Sequence, residues 1–167
     1  MRTAMVLVLL SVLFVAACGA DEDDAADTST TSTTARRGEQ IVIRERVVIA
    51  ALPGAEPIAT GQVLEGSTLG GAPFCVGGTI RDSHGSTDPA VRLILETITC
   101  PDGSVRLRFT PDEPQGPTQT GAWTIVSGTG AFEGLRGSGG MDVAYDPDPD
   151  SPAHVTFTGT VTREKSR

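Results

Sequence analysis

Val105-Arg106-Leu107-Arg108-Phe109-Thr110 alternates apolar and polar side chains without a break. A period of two puts Val105, Leu107 and Phe109 on one face and the arginines and Thr110 on the other, the pattern of a half-buried strand. Just upstream stands Cys100-Pro101-Asp102-Gly103, which has turn chemistry, and before it Val91-Arg92-Leu93-Ile94-Leu95-Glu96-Thr97-Ile98 begins with the same alternation. The spacing predicts a hairpin of strands 91–100 and 104–110. Towards the C-terminus Val155, Phe157 and Val161 alternate with Thr156, Thr158, Thr160 and Thr162, and Gly159 marks a place where a barrel strand can bend. Apolar runs at 41–52, 58–65, 74–82, 122–127 and 139–145 supply the remaining strands; the first of them, through Val47-Val48-Ile49-Ala50-Ala51-Leu52, also has the makings of a helix. Eight candidate strands predict an all-β fold, an eight-stranded antiparallel barrel. Closure removes every exposed edge and leaves an interior wide enough for side chains or one small ligand. A seven- or eight-stranded sandwich is the alternative from the same strand count.

Composition agrees with short strands and many turns. The chain has 167 residues, enough for one domain of ordinary size, with 20 Gly, 11 Pro and only 4% aromatic residues. Its net charge of -8 argues against nucleic acid as a partner, because phosphate binding needs a basic surface. There is no Asn, so an N-glycosylation sequon is excluded. The twelve Arg against one Lys, with much Ala and Gly, suggest a high-GC bacterial source.

The N-terminus has the character of an address. Met1-Arg2-Thr3 is a minimal positive region, and from Ala4 to Ala17 every residue is apolar or small. As a helix that run rises about 21 Å, short of the ~30 Å hydrocarbon core, so a signal peptide over 1–17 is the better reading than a membrane span. It ends in Val15-Ala16-Ala17-Cys18, which resembles a bacterial lipobox. The resemblance implies diacylglyceryl transfer to the Cys18 thiol, cleavage after Ala17, and a palmitate-type acyl cap on the new N-terminus. An ordinary secretory leader with a coincidental Cys is the plainer alternative. Residues 18–38 hold five acids and the run Thr28-Ser29-Thr30-Thr31-Ser32-Thr33-Thr34, with no apolar side chain larger than Ala after Cys18. Such a stretch buries too little to offset its ordering entropy and reads as a solvated tether with a reach of roughly 25 Å. The folded domain then occupies 39–167, exported and held to the outward face of a bacterial membrane by its lipid.

With Cys18 lipidated, Cys75 and Cys100 remain as an even pair, and in an exported chain such a pair reads as a disulfide. Closing a loop of roughly 26 residues would contribute roughly 3.5 kcal/mol. A zinc site and a catalytic thiol are the rival readings. Neither His84 nor His154 stands at a metal-ligand spacing from either cysteine, and a catalytic thiol needs a base such as His84 close in space.

One segment carries a family resemblance. Gly121-Ala122-Trp123-Thr124-Ile125-Val126-Ser127-Gly128-Thr129-Gly130-Ala131-Phe132-Glu133-Gly134-Leu135-Arg136-Gly137-Ser138-Gly139-Gly140 resembles the strand–turn–strand signature of the allene oxide cyclase/dirigent-like barrel superfamily. The resemblance implies an eight-stranded antiparallel barrel, in some members with a ligand-holding interior and in some oligomeric. Gly128, Thr129, Gly130, Gly134 and Gly137 form the structural turn motif, and Phe132 can plug the barrel end beneath it. Allene oxide cyclases isomerise a fatty-acid epoxide and dirigent proteins steer phenoxy-radical coupling. No catalytic residue transfers from either, because the matched segment contains the turn alone.

Several tempting sites reduce to simpler accounts. The spacing Gly128-x-Gly130-x-x-x-Gly134, with no Lys-Ser/Thr after it and a strand to follow, lacks the helix N-terminus that cradles a phosphate. Asp146-Pro147-Asp148-Pro149-Asp150 has alternating carboxylates, but Ser151 and Phe157 stand where a calcium loop needs Gly and Glu; it reads as an acidic hairpin tip. His84, in Arg81-Asp82-Ser83-His84-Gly85-Ser86, fits loop composition better than a Ser-His-Asp triad. Glu65 and Glu96 fall in strands, where an inward-facing carboxyl would be a candidate acid or base. Glu96 shares a face with Ile94 and Arg92, and both faces of that strand are partly apolar.

The expectation is therefore a lipid-anchored barrel with no metal or cofactor, holding a small apolar ligand or presenting a surface to an envelope protein. A barrel enzyme of isomerase or cyclase type and a structural envelope protein are the alternatives. An enzyme should bring polar groups together on a pocket, a binder should have an apolar one, and a structural protein should be packed solid.

Overall fold

In a computed structural model the chain divides into Met1–Thr34 and Ala35–Arg167, and the structure describes residues 38–50, 58–84, 92–148 and 150–164. The expected signal peptide, Cys18 and nearly all of the tether lie outside the described residues.

Eight antiparallel strands close into a barrel: β1 (Glu39–Ala50), β2 (Ile58–Val63), β5 (Thr79–His84), β6 (Ile94–Cys100), β7 (Gly103–Pro111), β8 (Thr118–Gly130), β9 (Leu135–Ala144) and β10 (Ala153–Arg163). Each pairs with the next, and β10 returns to β1 with Glu39 opposite Val161 and Val47 opposite Ala153. The sandwich alternative is excluded by that closure. No helix occurs among the described residues, and the run beginning at residue 41 is strand as far as Ala50. Two short strands, β3 (Thr68–Leu69) and β4 (Ala72–Pro73), form a side hairpin that pairs with β1 at Ile41 and Val42, where β2 has left it. Ser67 makes that hand-over possible. Buried at the junction, its hydroxyl accepts from Arg44 N at 2.9 Å and donates to Leu64 O at 2.9 Å.

The expected hairpin is present, with Cys100 opposite Gly103 across the Pro101-Asp102 turn. Other boundaries differ from the sequence reading for local reasons. The 74–82 run is not one strand: Phe74 and Cys75 belong to the loop after β4, and β5 starts only at Thr79. β8 extends well beyond 122–127, over Thr118–Gly130, and within it Val126 is an extra residue between Ile125 (opposite Leu107) and Ser127 (opposite Arg106). This bulge breaks the alternation on which the sequence reading depends.

The inward side chains fill most of the barrel. Trp123, Phe157, Leu107, Ile43, Ile98 and Val105 are buried at its centre. Trp123 lies against the paired Gly139 and Gly159, and its indole N–H donates to Gly140 O at 2.9 Å and Thr158 O at 3.1 Å. A Cβ at Gly139 would stand 1.9 Å from Thr158 O, so this crossing admits only glycine.

One end is sealed. There the Gly128–Gly137 turn doubles back with Gly130 at φ 59° and Gly134 at φ 70°. Phe132 is partly buried under it and meets Phe74 edge-on at 5.5 Å, so Phe74 is the deeper plug of the two. The Cys75–Cys100 disulfide joins the plug loop to the end of β6. The opposite end, where β1, β5, β7 and β9 finish, is the open one.

Candidate functional site

Three carboxyls near the open end break the apolar lining. Ile41, Ile43 and Val47 of β1 point inward and so, by the same alternation, does Glu45, which is 1% exposed. On β6 the inward series is Ile94, Glu96, Ile98, and Glu96 is 2% exposed. The structure thus resolves the ambiguous strand: Glu96 and Ile94 face in. Asp82 follows the buried Ile80 on β5 and stands directly opposite Glu96 in the ladder. Like charges directly opposite on one face of a strand pair repel. The tilt of the strands in a closed barrel carries Glu45 across to the same place, within hydrogen-bonding reach of Glu96.

No N–H or neutral hydroxyl reaches Glu45 Oε1, Glu45 Oε2, Asp82 Oδ1 or Glu96 Oε1. Two carboxyls that face each other here can be bridged only by a proton that one of them keeps. Burial drives the proton affinities up. It pushes the Glu45 carboxyl up to about 8, helped by the Asp82 charge and opposed by its bond to Glu96. Burial likewise raises Asp82 to about 7, against the pull of Glu96 and of the nearby His84 charge. Glu96 is held well above the usual carboxylate range, by burial first and then by the charges of Glu45 and Asp82. A protonated carboxyl has one O–H to give, so Glu96 satisfies one neighbour at a time and the other must keep a proton of its own.

Above this trio lies a cavity of about 90 Å³. Asp82 stands in its wall together with Ile94, Phe109, Met141 and Val155, and the other polar lining groups are Gln119 and Tyr145. The Tyr145 hydroxyl bonds to Gln119 Oε1, and Gln119 Nε2 donates to Asp112 O at 2.6 Å, which fixes both at the rim. Burial raises the Tyr145 phenol, so it keeps its proton. Outside, a depression of about 420 Å³ shares Ile49, Tyr145 and Ala153 with the cavity and runs over Val48 to the acidic tip 146–150. There Asp146 Oδ1 accepts from Asp148 N at 2.9 Å and Asp148 Oδ1 from Asp150 N at 3.0 Å.

The sequence-derived candidates divide accordingly. Glu96 belongs to the site. Glu65 does not: it follows β2 in an exposed turn. His84 lies at the open end of β5, in a strand rather than the loop its neighbours suggested, and contributes charge to Asp82. Ser83 points the other way and donates to Leu95 O at 3.2 Å, so Asp82, Ser83 and His84 form no triad. Cys75 and Cys100 are joined to each other at the sealed end and take no part. Glu45 and Asp82 were missed, although each falls in phase with the apolar face of its strand. Among the described residues no group of three or more His, Cys, Asp or Glu has an arrangement that could hold a metal ion. Compared with known proteins, the chain matches no family model, no curated protein and no solved structure.

Proposed function

We propose that this protein is an exported bacterial lipoprotein, tethered through Cys18, whose barrel holds a small ligand or ligand end-group at its open end. The observation that carries the binding half is the cavity: apolar walls with polar groups at only three places, in a barrel otherwise filled by side chains. The lipobox-like run before Cys18 supports the anchor, and the intact Cys75–Cys100 bridge suits an oxidising compartment. Similarity of the Gly128–Gly137 turn to allene oxide cyclase-like barrels supports the same reading.

Native mass spectrometry on the full chain recovered from bacterial membranes tests both halves. The expected species starts at Cys18, carries the acylglyceryl mass, and holds a further mass that leaves on denaturation. A chain without acyl mass overturns the anchor, and a bare barrel overturns the ligand. Replacing Cys18→Ser should move the protein out of the membrane fraction.

A second reading, a barrel enzyme of isomerase or cyclase type, is favoured by one observation. Asp82 has its proton affinity tuned to about 7 and lines the cavity, the position of a general acid or base. Turnover of a bound ligand that disappears in Asp82→Asn would favour this reading over simple holding.

A further inference from the structure

The unmet polar atoms beside the cavity are all carboxyl oxygens. Asp82 stands in the cavity wall, and its Oδ1, Glu96 Oε1 and both Glu45 oxygens are buried without a hydrogen-bond partner, the Glu96 and Glu45 side chains being 2% and 1% exposed. The lining itself contains no Lys, Arg or His. What the ionised form of these carboxyls lacks is therefore N–H or O–H donors, preferably with positive charge, and these must come from whatever enters. An ammonium group brings three donors and a charge on one atom. An alcohol brings one donor, and an anion would meet repulsion from any of the three carboxyls that is ionised. The approach has the same sign, since the depression outside the mouth is edged by Asp146, Asp148 and Asp150. The rest of the lining is apolar, with Ile94, Phe109, Met141 and Val155 around the space.

Building on the small-ligand reading, we propose that the open-end cavity binds an organic ammonium ion, its nitrogen received by Asp82 with Glu96 and Glu45 behind, its apolar chain against Met141 and Phe109. The inner cavity of about 90 Å³ takes the head and the first carbons, and a longer chain continues into the outer depression past Ile49 and Tyr145. Binding is coupled to protons. The groups that face Asp82 are Glu96 from β6, Glu45 from β1, His84 on its own strand and Tyr145 after β9; Gln119 of β8 does not titrate. An incoming cation favours the ionised carboxyls, so protons leave the trio as it enters.

The test compares n-butylammonium, n-butanol and butyrate on the full chain at pH 7.5. Met141 lines the cavity, and its methyl signal is the reporter; it is the only methionine in the sequence after Cys18. The expected result is that n-butylammonium shifts Met141 and binds at least about tenfold tighter than n-butanol. Asp82→Asn should lose about tenfold for the amine while n-butanol affinity stays within about twofold. Calorimetry in two buffers of different ionisation heat should show proton release on amine binding. If n-butanol or butyrate binds as well as the amine, the ammonium proposal is overturned while the small-ligand reading stands. If none of the three moves Met141, both fall. Should Asp82→Asn not fold, Glu96→Gln takes its place; retention of the full amine preference there, with no proton release in the parent protein, also overturns the proposal.

Discussion

Glu45 shows how much of the site one side chain decides. Its carboxyl is sealed in the barrel, accepts no N–H, and is raised from its ordinary 4.5 to about 8. Replacing it, Glu45→Gln, keeps the shape and removes the ionisation. The variant should be more stable than the parent at pH 8 and no more stable at pH 5. Its dependence of unfolding free energy on pH should be shallower by up to about 1.4 kcal/mol per pH unit through that window, measured by urea denaturation at a series of pH values. Glu45 was legible in principle: Ile41, Ile43, Glu45 and Val47 stand in one phase, and Arg44 and Arg46 in the other. A carboxylate on an apolar face contradicts ordinary burial preference, and that contradiction is the signal. Asp82 is harder to see, because Ser83, His84 and the glycine beyond them disguise a strand end as a loop.

Among the elements, the sealed end and the glycine crossing carry the fold. The disulfide fastens the Phe74 loop to β6. Its reduction should lower stability by about 3.5 kcal/mol, read from the urea midpoint, and the oxidised folded domain should show no reactive thiol from Cys75 or Cys100. The β9–β10 crossing is less forgiving. Gly139→Ala drives a methyl into Thr158 O and disturbs the seat of Trp123. We expect the fluorescence of Trp123, the only tryptophan, to shift to the red and become open to iodide quenching. Most strands were readable from alternation alone. The failures fall where the chain departs from a plain ladder: at the Val126 bulge, and at the 74–78 segment, whose apolar Phe74 plugs an end instead of continuing a strand. Tertiary placement, not propensity, decides both.

For the whole molecule the trio sets an unusual response to pH. Glu45, Asp82 and Glu96 all bind protons more strongly folded than unfolded. The folded state then holds more protons than the unfolded one between the ordinary carboxylate range and about 7 to 8, and in that window stability falls as pH rises. Below it the unfolded chain is protonated too and the contribution levels off. The urea midpoint should accordingly be higher at pH 5 than at pH 8, the reverse of acid denaturation driven by paired carboxylates. The strands themselves were legible because their number follows from the alternating pattern, whereas closure is settled by the β10–β1 pairing. The contents of the barrel interior were not legible, because which residues meet across a barrel depends on tilt and stagger that no single strand records.

The described domain begins and ends at the same pole. Glu39 pairs with Val161 there, and Glu164 N donates to Gly134 O at 2.8 Å. This gives the barrel a mechanical grain. A pull on Gly38 against Glu164 peels β1 from β10 one hydrogen bond at a time, as a zipper opens. A pull on Gly38 against the 146–150 tip at the far pole loads the whole β1–β10 ladder, from Glu39 to Val47, at once and in shear. A domain held at its N-terminal end and tugged at its mouth is thus loaded along its stronger direction.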